Sequence, residues 1–204
     1  MSQSKNIAII KYNAGNIRSV LFALERLGLA AKVTDDHEEI RNASHVIFPG
    51  VGAANSAMPY IRERGLDKLI QSLTQPFLGI CLGMQLMCKH SEEGDTDCLG
   101  IFDLPVKKFM PPSPSEGVRM KVPHMGWNSL QQIQSPLLDG LDENPYCYFV
   151  HSYYADAGIS TIAVTDYHIP FSAALHRDNF YGVQFHPEKS AAAGEVILKN
   201  FLRF

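Results

Sequence analysis

Little in this chain of 204 residues is concentrated in one place. It has four cysteines, Cys81, Cys88, Cys98 and Cys147, and no two of them share the C-x-x-C spacing of a zinc knuckle. Scattered thiols of this kind suit a reducing compartment, where they stay free, rather than a disulfide framework. No apolar run reaches the roughly 20 residues that a membrane helix needs. The start, Met1-Ser2-Gln3-Ser4-Lys5-Asn6, has no apolar stretch of the signal-peptide kind. The cytoplasm is therefore the expected location, with no membrane contact. Eighteen basic and 21 acidic side chains give a net charge of −3 without long runs of one sign. That distribution excludes the basic footprint of a nucleic-acid binder and leaves small molecules as the expected substrates. At 204 residues, without an internal repeat, residues 1–204 are read as one domain, or one with a small lobe, long enough for a sizeable core.

What is present is an alternation of short apolar runs and helical patterns. Ile7-Ala8-Ile9-Ile10 reads as a strand, and Ile17, Val20, Leu21, Leu24 and Leu27 then recur at helical spacing up to a stop at Gly28. Ala31 to Thr34, His45 to Phe48 and Pro76 to Ile80 supply further strands, an order that predicts a parallel sheet with crossover helices. The second half carries strand-like pieces near Val106–Phe109, Tyr146–Val150, Thr161–Thr165, Ser172–His176 and Tyr181–Phe185. A last helix runs from about Gly194 to Leu202, and hairpins in this half would make the sheet mixed. The Pro-rich stretch from Met110 to Gly117 reads as a solvated loop. In open parallel sheets, sites form at the carboxyl ends of strands. Tyr12-Asn13-Ala14-Gly15-Asn16, Pro49-Gly50-Val51-Gly52 and Cys81 should therefore meet on one rim.

Cys81 falls between a strand and a helix expected to start at Leu82 and run toward His90, within Gly79-Ile80-Cys81-Leu82-Gly83-Met84-Gln85. Such an elbow presents a side chain beside free backbone N–H groups, and the flanking glycines suit a tight turn that requires little Cβ bulk or positive φ. A thiolate nucleophile needs a histidine to take and return its proton, and the histidine needs a carboxylate to orient it. His186-Pro187-Glu188 supplies both, two residues apart in what reads as an extended segment. Pro49-Gly50-Val51-Gly52 lacks the third glycine of a dinucleotide fingerprint, and no Gly-Lys-Ser/Thr follows it. Its peptides suit an oxyanion hole instead, one N–H from Val51 and one from Leu82 aimed at the oxygen formed when Cys81 attacks a carbonyl.

These three motifs, the last extended to Gly182-Val183-Gln184-Phe185-His186-Pro187-Glu188-Lys189-Ser190, occur in the order of the class I glutamine amidotransferases, which the chain resembles nearly end to end. Tyr12–Asn16, Pro123-His124-Met125-Gly126-Trp127-Asn128 and Tyr148-Phe149-Val150-His151-Ser152-Tyr153-Tyr154 make it most similar to the glutaminase subunits of imidazole glycerol phosphate synthases. Lys11 and Asn13 stand where most members carry Asp and Gly. The resemblance implies an α/β, three-layer fold with a central, mixed but mostly parallel sheet flanked by helices. It implies that Cys81 attacks the amide of glutamine, with His186 as base and then acid and Glu188 orienting it. Gly52, Gln85, Glu93, Ser152 and Tyr153 would complete the glutamine pocket. The reaction needs no metal and no cofactor.

The resemblance also implies a heterodimer in which ammonia passes to a cyclase subunit built as a (β/α)₈ barrel, with Asn13, Trp127, Tyr148 and Lys189 facing it. Trp127, the single tryptophan, sits in a polar, Gly-containing stretch and reads as a surface aromatic of the kind enriched at interface hot spots. His151 reads as a hydrogen-bonded structural residue rather than a second base. Two other readings stay open. One is a glutaminase serving a different acceptor synthase, and the other is a non-catalytic regulatory module that kept the fold.

Overall fold

The computed structural model describes residues 5–13, 16–111 and 120–204. Ala14 and Gly15 of the first rim loop, and all but the start of the Met110–Gly117 stretch, lie outside the described residues. The first half is the expected alternation. Strand β1 (Ile7–Ile10) leads to α1 (Ile17–Arg26), β2 (Ala31–Thr34), α2 (His37–Arg41), β3 (His45–Gly50), α3 (Ala54–Glu63), α4 (Leu66–Ser72), β4 (Phe77–Cys81) and α5 (Leu82–Met87). Small strands β5 (His90–Ser91) and β6 (Thr96–Asp97) follow, then β7 (Pro105–Lys108), β8 (His124–Ser129), β9 (Tyr146–His151) and β10 (Tyr153–Ala155). The chain closes with β11 (Thr161–Asp166), β12 (Pro170–Arg177), β13 (Phe180–Val183) and α6 (Ala191–Phe201).

Seven strands form the main sheet in the order β11-β12-β13-β4-β3-β1-β2. Strands β2, β1, β3, β4 and β13 run parallel, and β12 and β11 turn back as antiparallel hairpins, so the sheet is mixed as expected. Alternate residues of each strand enter opposite cores. Ile7 and Ile9 pack with Ile47, Leu78 and Ile80 on one face, while Ala8 and Ile10 pack with Val46, Phe48 and Phe77 on the other. Burial on both faces is why these strands read as unbroken apolar runs. Helices α3, α4 and α5 contribute to one core, and α1 and α6 to the other, giving helix, sheet and helix layers.

A four-stranded sheet (β10-β7-β5-β6) and the β8–β9 ribbon stand over the carboxyl ends of β3 and β4. Strand β8 is not among the strand-like pieces of the sequence reading, which has 123–128 only as a polar, Gly-containing stretch. Pro123, Gly126 and Asn128 are poor strand formers, but every residue from His124 to Ser129 has a cross-strand partner on β9. Tertiary pairing overrides the local preference here.

Candidate active site

Cys81 closes β4 and precedes the first residue of α5, with φ 54° and ψ −109°. A positive φ is uncommon for a residue with a Cβ, and positions of this kind cost on the order of 1–3 kcal/mol. The turn therefore places its strain on Cys81 itself, whereas the sequence assigned that burden to the flanking glycines. Gly79 and Gly83 serve another need. A Cβ on Gly83 would lie 1.8 Å from the Phe48 carbonyl oxygen, and one on Gly79 would lie 2.9 Å from the Met84 nitrogen. They let α5 press against β3 and β4, which holds the elbow in place. Helix α5 ends at Met87, short of His90, because Cys88 turns extended and the Lys89 N–H is taken by the Leu104 carbonyl.

His186 and Glu188 come from the turn after β13. Pro187–Lys189 is a single 3-10 turn, not the extended segment read from the sequence, since Pro187 suits the first position of a helical turn. His186 Nδ1 lies 2.7 Å from Glu188 Oε1, and both side chains are almost wholly buried. The carboxylate only accepts, so Nδ1 carries the hydrogen, and among the described residues Nε2 has no hydrogen-bond partner. Burial alone would lower the His186 pKa, but Cys81 and Glu188 outweigh it and push it up to about 10. Asn16 Nδ2 donates to the same Glu188 oxygen at 3.5 Å, and Ser190 Oγ donates to the His186 carbonyl at 2.6 Å. The imidazole and the carboxylate thus form one buried pair, coupled in charge to the Cys81 sulfur.

A cleft of about 290 Å³ opens beside the sulfur, lined by Val51, Gly52, Cys81, Leu82, Gln85, Glu93, Pro123, Val150, His151, Ser152 and Tyr153. Val51 and Leu82, read from the sequence as the oxyanion hole, and the pocket residues implied by the resemblance are all in that lining. Leu82 opens α5, where the first N–H groups have no intrahelical acceptor. Val51, which directly follows β3, is partly exposed at the cleft mouth. Gly52 has φ 122°, a conformation that excludes most side chains.

Gln85 and Glu93 are held by contacts the sequence did not reveal. Gln85 Nε2 donates to the Tyr153 carbonyl at 2.8 Å and to Gln184 Oε1 at 2.9 Å. Gln184 Nε2 in turn approaches Cys81 Sγ at 3.7 Å. Gln184 is fully buried and was passed over as part of an apolar strand end, although its place two residues before His186 puts it on the same side of the chain. Glu93 is half-buried, and its Oε2 accepts the Ala54 N–H at 2.7 Å. Ala53, the N-cap of α3, offers no side chain for that purpose, so Glu93 caps the helix from outside. Burial raises its pKa, and the bond from Ala54 opposes the rise.

Of the four residues expected to face a partner, Trp127 and Tyr148 lie on the β8–β9 ribbon and Lys189 lies beside it. Trp127 and Tyr148 are cross-strand partners with ring centroids 6.1 Å apart, and Lys189 Nζ lies 5.8 Å from the Tyr148 ring centre. Trp127 is 52% exposed, with Met125 and Tyr146 also open to solvent on the ribbon. Lys189 has no ion-pair partner among the described residues. Asn13 is exposed at the end of β1, where its Nδ2 donates to the Ser56 carbonyl at 3.0 Å.

The model of the family described as glutamine amidotransferase class-I matches residues 8–203. The chain belongs to the class I glutamine amidotransferases. This amidotransferase is 58% identical over 196 residues to the imidazole glycerol phosphate synthase subunit HisH of Bacteroides fragilis, covering 96% of this chain and 98% of that one. It is 46% identical over 198 residues to the protein of the same name from Haemophilus influenzae, covering 97% and 96%. Among solved structures, PurLQS from Thermotoga maritima superposes with a TM-score of 0.69 at 17% identity, covering 98% of each chain. At that identity the likeness is one of fold.

Proposed function

We propose that residues 1–204 form one glutaminase domain in which Cys81, His186 and Glu188 hydrolyse glutamine. The chain is the glutaminase subunit of imidazole glycerol phosphate synthase, an enzyme of histidine biosynthesis. The reading rests on a single observation: a buried His186–Glu188 pair is electrostatically coupled to Cys81, which lines a cleft together with Gln85 and Glu93.

The Cys81 thiolate attacks the side-chain amide carbon of glutamine, and the oxygen takes negative charge facing the Leu82 and Val51 N–H groups. Imidazolium His186 gives its Nε2 proton to the leaving nitrogen, ammonia departs, and a glutamyl thioester remains. Neutral His186 then takes a proton from water, which attacks the thioester. Glutamate leaves, and the thiolate and imidazolium are restored. Glu188 holds Nδ1–H through both halves and stabilises the charged ring. Glu93, with Oε2 engaged by Ala54, offers its other oxygen to the α-ammonium of glutamine. Gln85 offers Oε1, its amide hydrogens being committed to Tyr153 and Gln184.

Ammonia in water is mostly protonated and escapes, so its use elsewhere calls for delivery across a closed interface. The cyclase subunit, a (β/α)₈ barrel in this proposal, docks on the exposed face of Trp127, Tyr148 and Lys189, with Asn13 at its rim. Both subunits work in the cytoplasm. The test is glutamate release by this chain with and without a cyclase subunit. Turnover stimulated by the cyclase supports the reading, and equal turnover in both mixtures favours a different acceptor synthase.

A further inference from the structure

From the cleft wall at His151 a second line of polar groups runs inward, which the thiol chemistry leaves unused. His124 on β8 and His151 on β9 sit opposite one another across the ribbon, both buried. His151 Nδ1 is 2.7 Å from the Tyr153 carbonyl oxygen, the same oxygen that accepts from Gln85. His124 Nδ1 is 3.0 Å from His151 Nε2. Asn128 Nδ2 is 3.3 Å from His124 Nε2 and 2.9 Å from the Asp166 carbonyl oxygen.

These contacts admit one placement of hydrogens. A carbonyl only accepts, so His151 carries its hydrogen on Nδ1 and leaves Nε2 as a lone pair. His124 must then donate from Nδ1, and its own Nε2 lone pair receives an amide hydrogen from Asn128. The amide cannot turn over freely, because Asn128 Oδ1 already accepts the Ser129 N–H at 2.8 Å. The line is complete only with both imidazoles neutral. Its surroundings favour that state. Phe109, Phe149, Phe171 and the Tyr167 ring pack on the pair. The titratable groups that face it are Tyr167 from the segment after β11 and His186 from the turn after β13. Burial lowers His124 to about 4 and, with further repulsion from His124 and His186, His151 to about 3.

We propose that His124 and His151 are positioning residues. Their hydrogen-bonded line fixes the Tyr153 carbonyl, and through it Gln85, in register with the ribbon that carries Trp127 and Tyr148. The line runs from the glutamine pocket at Tyr153 to Asn128 and the Asp166 carbonyl, through the same two strands that carry Trp127 and Tyr148. His124 is outside the cleft lining, so any effect it has on glutamine travels through His151 and Tyr153. The inference rests on the glutaminase reading for the identity of the ligand.

The test uses the complex with its cyclase subunit in a Cys81→Ala background, with glutamine affinity measured by calorimetry. His124→Phe keeps a ring but removes the donor, and His124→Asn keeps an N–H near the Nδ1 position. His124→Phe should weaken glutamine binding about fivefold, as for the loss of one net hydrogen bond, and His124→Asn should restore most of it. Unchanged affinity in His124→Phe, with or without a lower unfolding temperature, overturns the inference and leaves the glutaminase reading intact. If the wild-type residues at these positions support no glutamine binding at all, the glutaminase reading fails instead. Nitrogen NMR of the histidine rings then decides the line by itself. Two neutral Nδ1–H rings at mildly acidic pH are expected, and an imidazolium or an Nε2–H ring at either position contradicts it.

Discussion

His186 and Glu188 share a 2.7 Å hydrogen bond with both side chains almost fully removed from water. A carboxylate in that setting is stable only with its partner, because an unpaired buried charge is costly. Among the described residues Glu188 Oε2 has no hydrogen-bond partner, and the shorter of the two bonds on Oε1 is the one from the imidazole. Glu188→Gln should keep the shape of the site but lose the charge that supports imidazolium. Glutaminase kcat is expected to fall on the order of 100-fold or more, with a much smaller change in KM. Steady-state kinetics of the complex checks this, and an unchanged kcat would remove Glu188 from the triad.

The same pair makes stability depend on pH. The folded pKa of His186 is raised from 6.5 to about 10: burial opposes the charge, and Cys81 and Glu188 overcome it. A raised folded value stabilises the native state fully below the unfolded pKa, and that contribution fades as pH rises through the folded one. Urea midpoints should therefore decline between pH 6.5 and pH 10, and the decline should shrink in Glu188→Gln. A wild-type midpoint that is flat across this range would contradict the assignment of charge.

Much of this site was legible in the sequence. The elbow, the distant histidine and carboxylate, and the loops at strand ends could be read because parallel sheets collect strand ends on one rim. The parts that were not legible depend on tertiary neighbours. Strand β8 is made by its partner β9 rather than by its own residues. The cap that Glu93 places on α3 joins segments 39 positions apart, and nothing local announces it. The contact between Gln184 and Cys81 spans 103 positions in the same way.

Glu93 combines two roles that substitutions can separate. Glu93→Gln keeps an oxygen for the Ala54 N–H but loses the charge offered to the substrate, so KM for glutamine should rise with little change in unfolding temperature. Glu93→Ala should do the same and also lose the cap, at a cost of about 1 kcal/mol. Equal stability in the two variants would show that the cap contributes nothing.

Trp127 is 52% exposed, and its main aromatic neighbour is the Tyr148 ring. Trp127→Ala should barely move the unfolding transition of the isolated chain. Binding to the cyclase subunit should weaken by about 2 kcal/mol, roughly 30-fold in Kd, as for an interface hot spot. Titration of labelled subunit measures it, and an unchanged Kd would place the interface elsewhere.

Gly83 faces a backbone oxygen that cannot move aside cheaply. Gly83→Ala would set a methyl 1.8 Å from the Phe48 carbonyl oxygen, so α5 must shift away from β3. A loss of about 3 kcal/mol is expected, as for overpacking, together with reduced glutaminase activity as the elbow moves. Wild-type stability in this variant would mean that α5 is not held where the geometry places it.

The most direct test is Cys81→Ala in the complex with the cyclase subunit, assayed once with glutamine and once with ammonium salt at high pH. The account predicts no glutamate release from glutamine, together with product formation from free ammonia at a rate close to wild type. Glutamate release that survives the loss of the Cys81 sulfur would contradict it.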